Sequence, residues 1–127
     1  MLTVKDKFAI AGVLKSQDDI AAAYLFGSQN RQNADENSDI DLGVILVGGK
    51  DSLKRELELE HQINQAVSRK IDVRSLSLRQ SPVFLMQAAQ GELLMGHDRQ
   101  ERVAFETELD KLNDDAQQYF RIARHYV

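Results

Sequence analysis

Two aspartates that follow a Gly-Ser pair at a fixed distance are the residues of this chain best suited to chemistry. Gly27-Ser28 is followed by ten residues and then by Asp39-Ile40-Asp41. Because side chains alternate along a strand, Asp39 and Asp41 are expected on one face, with Cα atoms about 6.6 Å apart. Bare carboxylates 4 Å apart would repel by up to roughly 4 kcal/mol in a dielectric of about 20. The pair therefore predicts a bound cation.

The Gly27-Ser28 pair adds a second kind of contact to this prediction. A Gly-Ser turn can present backbone N–H groups and a hydroxyl to a phosphate. Mg²⁺ suits the aspartates because it prefers oxygen ligands and binds through few carboxylates together with substrate phosphates. The two features together indicate a site for a metal–nucleotide complex.

The segments around these residues alternate between strand and helix patterns. Apolar runs predict buried strands over residues 20–26 and 39–47, and alternating residues predict a third strand over 71–76. A first helix is predicted over 3–15, and a second runs from a cap at Asp51 or Ser52 to about 69. A third helix begins at Ser81-Pro82 and ends at 91, and it is followed by a short strand at 92–95. The last helix is predicted from about 99 to 126. A short helical turn and a loop are predicted over 29–38. The order predicts an α/β fold, a mixed sheet flanked by helices.

Helical spacing also predicts which side chains face the core. The predicted core positions are Val4, Phe8, Ile10, Ala11 and Leu14 in the first helix, Leu53, Leu57, Ile63 and Val67 in the second, and Phe105, Leu109, Leu112, Ala116, Tyr119, Phe120 and Ala123 in the last.

Length and composition favour a single domain over residues 1–127 that buries a sizeable core, since 43% of the residues are hydrophobic. The absence of cysteine excludes disulfides and thiolate metal sites. Neither a secretory signal nor a run of about 20 apolar residues is visible, so we expect a soluble cytoplasmic protein without a membrane partner. The net charge is −4 and the basic residues are scattered, which weighs against stable nucleic-acid binding but leaves a single nucleotide possible.

The motif and its flanking strands resemble a known signature. Leu25-Phe26-Gly27-Ser28 and Ser38-Asp39-Ile40-Asp41-Leu42-Gly43-Val44 are similar to the polymerase-β-type nucleotidyltransferase signature. More narrowly, the chain resembles the minimal nucleotidyltransferases (MNT), whose pattern is Gly-Ser, ten residues and Asp-x-Asp. The resemblance implies the nucleotidyltransferase fold with a long C-terminal helix.

The resemblance also implies roles for individual residues. Gly27 would permit the tight turn, and Ser28 would hydrogen-bond the terminal phosphates of ATP. Asp39 and Asp41 would hold Mg²⁺ against the triphosphate. Asp72 would supply the third carboxylate, complete a second metal position and help to draw a proton from the attacking hydroxyl. A lone aspartate on a strand is often only a surface residue, so Asp72 is assigned through the resemblance.

For function, the resemblance implies the antitoxin of a HEPN–MNT toxin–antitoxin pair. Such an enzyme would transfer AMP from ATP to a tyrosine of its cognate HEPN ribonuclease toxin, with which it would form a hetero-oligomer. Two alternatives stay open: a nucleotidyltransferase that acts on a small molecule such as an aminoglycoside, and a non-catalytic antitoxin that acts by binding alone.

Other polar residues are assigned to the surface. Many relatives carry glycine after the loop arginine, whereas here Arg31 is followed by Gln32, and we interpret Arg31 as a solvated loop residue. The histidines, His61, His97 and His125, are interpreted as surface side chains, because their positions form no metal-binding pattern.

Overall fold

A computed structural model of the chain describes residues 2–27, 40–96 and 98–125, with side chains of the last helix through 114. The helices are α1 (Val4–Lys15), α2 (Leu53–Ala66), α3 (Pro82–Ala89) and α4 (Arg99–His125), and the strands are β1 (Ile20–Phe26), β2 (Ile40–Leu46), β3 (Ile71–Ser75) and β4 (Glu92–Gly96). Every predicted strand and long helix is present, with bounds that agree with the prediction to within a few residues. The helical turn and loop predicted over 29–38 lie outside the described residues.

The four strands form one mixed sheet in the order β3-β2-β1-β4. Strand β1 pairs antiparallel with both β2 and β4, whereas β2 and β3 are parallel. The prediction of a mixed sheet is thus confirmed. Because β2 and β3 are parallel, their N-terminal ends lie at the same edge of the sheet, next to the C-terminal end of β1.

Hydrophobic side chains cover both faces of the sheet. One face carries Ile40, Leu42 and Val44 of β2, which pack with the buried residues of α1 and α2. The opposite face carries Ile45, which packs with the apolar residues of α3 and α4. Since side chains alternate along a strand, Asp41 and Gly43 lie on the α3/α4 face of β2.

Part of the predicted face was wrong in α1 and in α2, and in the same way. Val4 and Phe8 in α1 are 80% and 79% exposed, and Leu53 and Leu57 in α2 are 70% and 56% exposed. The predictions for Ile10 and Leu14 in α1, and for Ile63 and Val67, are confirmed, since these residues are buried. Leu59 of α2 is also buried and was not predicted. In each helix the exposed pair lies two and six residues before the first buried one.

At 3.6 residues per turn, residues at these separations point in directions that differ by about 200° or more around the helix axis. The exposed pair therefore lies on the side of the helix away from the first buried residue. Apolar residues on both sides of a helix leave its rotation undetermined from sequence. In α4 the predicted face is confirmed at Phe105 and Leu109, which are 6% and 1% exposed. Leu112 is half-buried, and the predicted positions from 116 onward lie outside the described side chains.

Helix ends follow the capping residues in the sequence. Thr3 caps α1, accepting a hydrogen bond from the Asp6 N–H while the Asp6 carboxylate accepts one from Thr3 N–H. Ser52 caps α2 by accepting from the Arg55 N–H at 3.2 Å. None of the described helices combines the length and the apolar composition that crossing a bilayer requires.

Candidate functional site

The turn after β1 brings a glycine against one of the predicted metal ligands. Phe26 is the register partner of Asp41, so Gly27 leaves the sheet directly beside this aspartate. Gly27 has φ +92°, and a Cβ atom there would overlap the Asp41 carboxylate. This backbone conformation is costly for other L residues, and the space for their Cβ is taken. Both requirements select glycine at position 27.

Asp41 and Asp72 occupy paired positions on the parallel strands β2 and β3. Register partners on adjacent strands project to the same face and lie about 4.8 Å apart along the hydrogen-bonding direction. Both aspartates are partly exposed at the N-terminal ends of their strands. The tertiary structure therefore places two carboxylates, 31 positions apart in the sequence, on one face of the sheet beside Gly27.

Helix α2 hydrogen-bonds the backbone on either side of Asp72. The Asn64 side chain accepts from the Ile71 N–H at 3.0 Å and donates to the Ile71 carbonyl at 3.2 Å. The Glu60 carboxylate accepts from the Val73 N–H at 2.8 Å. Because β3 is an edge strand of this sheet, these backbone N–H and C=O groups point away from β2. Asn64 and Glu60 supply the hydrogen-bond partners that a further strand would otherwise provide. The two side chains fix the peptides before and after Asp72.

Aromatic and aliphatic side chains form the apolar wall next to the carboxylates. The rings of Phe26 and Phe84 are 5.7 Å apart and tilted by 38°. The side chains of Phe26 and Leu76 occupy the space where a Cβ of residue 43 would stand. Such a Cβ would lie 3.1 Å from Phe26 Cε1 and 3.0 Å from Leu76 Cδ1. The Phe26 ring therefore crosses above β2 toward Leu76. The wall therefore lies on the same face of β2 as Asp41, since Phe26 is the register partner of Asp41 and Gly43 follows it by two residues.

A guanidinium group lies on the same face as the two carboxylates. Arg74 follows Asp72 by two residues and pairs with Gly43. Its Nε lies 4.0 Å from Asp41 Oδ1, and its side chain is 59% exposed. By contrast, Arg55 holds Asp19 through two hydrogen bonds of 2.7 and 2.8 Å. The Arg74 pair is therefore a loose contact and the Arg55 pair a tight one.

The other residues predicted for the site lie outside the described part of the chain. These are Ser28 and Asp39, together with the loop residue Arg31. Among residues 2–27, 40–96 and 98–114, no three His, Cys, Asp or Glu side chains are placed to hold a metal ion. The predicted set of three includes Asp39, so its metal-binding role stays a prediction.

All three histidines were predicted to be surface side chains. The side chains of His97 and His125 are not among those described, whereas His61 lies exposed on α2, with a ring nitrogen 3.1 Å from the Gln65 amide. The prediction of a surface side chain is confirmed for His61.

A buried tyrosine joins the sheet to α4 on the face that carries the site. The Tyr24 hydroxyl donates to the Glu106 carboxylate at 2.5 Å, and Glu106 lies 3.5 Å from the Arg102 guanidinium. Burial, followed by the hydrogen bond to Glu106, raises the pKa of Tyr24 well above its usual value. Tyr24 therefore stays protonated and serves as a structural hydrogen-bond donor between β1 and α4.

Sequence reasoning missed Asn64, Glu60 and Arg74. Polar residues on a helix predict a solvated face, and no local pattern shows that Asn64 and Glu60 reach the backbone of a strand. Arg74 offered a weak signal, since it follows Asp72 at the period of a strand. Its proximity to Asp41 required the register between β2 and β3.

The mixed sheet, with two aspartates on one face beside a positive-φ glycine, agrees with the nucleotidyltransferase class that the motif resemblance implies. Comparison with family models supports this class: the model described as Polymerase beta, Nucleotidyltransferase matches residues 9–100. The chain belongs to this family, and its fold is the polymerase-β-like nucleotidyltransferase fold with a long C-terminal helix. No curated protein matched the sequence.

Solved structures share this fold at low sequence identity. The chain is similar to one in the crystal structure of a toxin–antitoxin with AMP-PNP, with TM-score 0.68 and 24% identity over 88% of this chain and 90% of that chain. It is similar to one in the toxin–antitoxin MntA–HepT, with TM-score 0.64 and 24% identity over 89% and 88%.

A third similar structure is the tri-AMPylated Shewanella oneidensis HEPN toxin in complex with MNT antitoxin. Here the TM-score is 0.64 and the identity 23%, over 89% of this chain and 87% of that chain. At these identities the likeness shows a shared fold.

Proposed function

We propose that this chain, a single nucleotidyltransferase domain over residues 1–127, is a Mg²⁺-dependent protein adenylyltransferase of the cytoplasm. It transfers AMP from ATP to a tyrosine of a cognate HEPN ribonuclease toxin and thereby acts as its antitoxin. The observation that carries this proposal is the pairing of Asp41 with Asp72 beside Gly27, in a chain of the polymerase beta nucleotidyltransferase family.

The described part of the site fits a hard divalent cation. Asp41 and Asp72 offer carboxylate oxygens from adjacent strands on one face, and Asp39 would add a third carboxylate next to β2. Oxygen ligands of this kind suit Mg²⁺. When bound, Mg²⁺ would neutralise charge on the phosphate oxygens and so favour displacement at phosphorus. Asp39, Asp41 and Asp72 are the residues that would hold it.

The reaction itself is a substitution at the α-phosphorus of ATP. The tyrosine oxygen of the acceptor forms a bond to this phosphorus, and the bond to the oxygen that leads to the β-phosphorus breaks, so pyrophosphate leaves. Asp72 would accept the proton of the tyrosine hydroxyl. Gly27 keeps the Asp41 carboxylate in place by leaving room for it, and Ser28 would donate to the terminal phosphates.

Two of the similar structures support the choice of ATP as the nucleotide and of a HEPN toxin as the acceptor. One was solved as a toxin–antitoxin with AMP-PNP, and another contains a tri-AMPylated HEPN toxin in complex with MNT antitoxin. Attachment of AMP adds bulk and negative charge to the acceptor. Near a ribonuclease site this charge would oppose RNA binding by the same electrostatics as phosphorylation.

The test combines the purified protein, the product of the neighbouring gene, ATP labelled at the α-phosphate, and Mg²⁺; the proposal predicts that this neighbour is a HEPN protein. We expect label on the HEPN protein and release of pyrophosphate. The double variant Asp39→Ala/Asp41→Ala should abolish transfer. A matched control is Asp18→Ala/Asp51→Ala, which removes the same two charges from exposed positions outside the strands. This control should transfer AMP at the wild-type rate.

Two results would replace this function by an alternative. If the Asp39→Ala/Asp41→Ala variant still neutralises the ribonuclease in cells, neutralisation rests on binding alone. If the wild-type protein labels no HEPN protein but inactivates an aminoglycoside with ATP, the acceptor is a small molecule. Equal transfer by the double variant and the wild type would remove the catalytic role of the two aspartates.

A further inference from the structure

Arg74 has a position and an exposure that neither the core nor the carboxylate pair explains. It lies on β3 two residues beyond Asp72, on the same face as both carboxylates, and pairs with Gly43 of β2. Gly43 contributes no side chain beside the guanidinium, and the space above this glycine is filled by Phe26 and Leu76. More than half of the Arg74 side chain is exposed, so it contributes little to packing.

The contact between Arg74 and Asp41 is too long to hold the guanidinium in place. A charge-assisted hydrogen bond between Arg and a carboxylate measures about 2.7–2.9 Å, whereas Arg74 Nε lies 4.0 Å from Asp41 Oδ1. Exposed ion pairs of this kind are weak because water screens them. The guanidinium can therefore turn toward another anion at the site at small cost.

A nucleotide placed at the carboxylates brings such an anion next to Arg74. The triphosphate is a polyanion, and the two aspartates add negative charge on the same face. A guanidinium offers several N–H donors in a planar fork that matches two phosphate oxygens. We propose that Arg74 is a ligand of the nucleotide's triphosphate, which it contacts after leaving Asp41. This assignment rests on the proposed nucleotidyltransferase function and adds a binding residue to its site.

The inference is tested by nucleotide affinity in the absence of any acceptor protein. Isothermal titration calorimetry would measure binding of AMP-PNP and of inorganic pyrophosphate, each with Mg²⁺, to wild type, Arg74→Ala and Arg74→Lys. Arg74→Ala should weaken both affinities about 10- to 100-fold, the range expected for a lost hydrogen bond to a charged group. Arg74→Lys should restore part of the loss, since it keeps the charge but not the fork.

The matched control is Arg79→Ala. Arg79 is exposed and follows β3 at the other end of the sheet, where it lines a cavity of about 420 Å³ with Gly48 and Phe105. Removing Arg79 changes the net charge equally and should leave both affinities within about twofold, because exposed charges more than about 10 Å apart are largely screened. Thermal unfolding of each variant shows whether the fold is intact.

The outcomes separate this inference from the proposed function. If Arg74→Ala binds AMP-PNP and pyrophosphate as tightly as wild type, the phosphate contact is wrong while the proposed function stands. Equal weakening by Arg79→Ala would also overturn it, because the effect would then follow from net charge alone. If the wild type binds neither ligand, the proposed nucleotidyltransferase function is refuted, and the assignment of Arg74 is refuted together with it.

Discussion

Replacing Gly27 by alanine tests whether the turn after β1 positions the Asp41 carboxylate. The substitution has two separate effects. An L residue at φ +92° costs about 1–2 kcal/mol of stability, and the new Cβ would overlap the Asp41 carboxylate. At about 3–5 °C per kcal/mol for a domain of this size, the backbone term alone should lower Tm by about 3–10 °C. Moving the carboxylate adds a loss of activity.

Gly48 provides a matched control for the backbone term. It has φ +91°, yet a Cβ there would meet no atom within 4 Å. Gly48→Ala should therefore lower Tm by a similar amount without moving a predicted ligand. The Gly48 N–H, which donates to Glu101 at 2.6 Å, is retained in alanine. Any difference between the two variants reports the contact with Asp41.

The assay is the rate of AMP transfer to the HEPN protein, measured well below both transition temperatures. Displacing a ligand by about 1 Å can reduce a rate about 100-fold. We expect Gly27→Ala to lose this factor or more, and Gly48→Ala to transfer AMP at the wild-type rate. Equal rates in the two variants, or wild-type transfer by Gly27→Ala, would show that the contact between Gly27 and Asp41 has no role in catalysis.

Three further predictions concern the support of the sheet. Asn64→Ala should destabilise the fold by about 1–3 kcal/mol in chemical denaturation, because Ile71 loses two hydrogen bonds of about 0.5–1.5 kcal/mol each; an unchanged midpoint would contradict this. Leu109→Ala should cost about 2–5 kcal/mol by the same measurement, since Leu109 is 1% exposed, and a loss below 1 kcal/mol would show that α4 packs loosely. The third concerns alkaline pH: the raised pKa of Tyr24 means that the folded state keeps a proton that the unfolded state loses above pH 10.0. The free energy of unfolding of the wild type should therefore fall as pH rises above this value, and that of Tyr24→Phe should fall less steeply. If the free energy of unfolding depends on pH in the same way in both proteins, Tyr24 is not the cause.

The order of the elements was predictable because it depends on local patterns. The apolar run 20–26 became β1 without change of bounds, and Ser52 and Pro82 marked the starts of α2 and α3. Rotation of the helices was harder to predict. Phe8 and Leu57 stand at helical spacing from other apolar residues, but only packing against the sheet shows that they face solvent.

The sequence by itself determined which residues could form the site and the class of chemistry they suit. Glycine, serine and two aspartates at this spacing already indicated a phosphate turn and a cation. The fold class followed from periodicity, since strand and helix patterns are properties of neighbouring residues.

Only the tertiary structure decided which distant side chains meet. The parallel register brings Asp72 opposite Asp41, and Arg74 opposite Gly43. It also lets Asn64 of α2 hydrogen-bond the peptide before Asp72. The physical reason is that strand register and helix docking are set by burial over the whole sheet, whereas a local pattern carries no information about which segment will lie beside it.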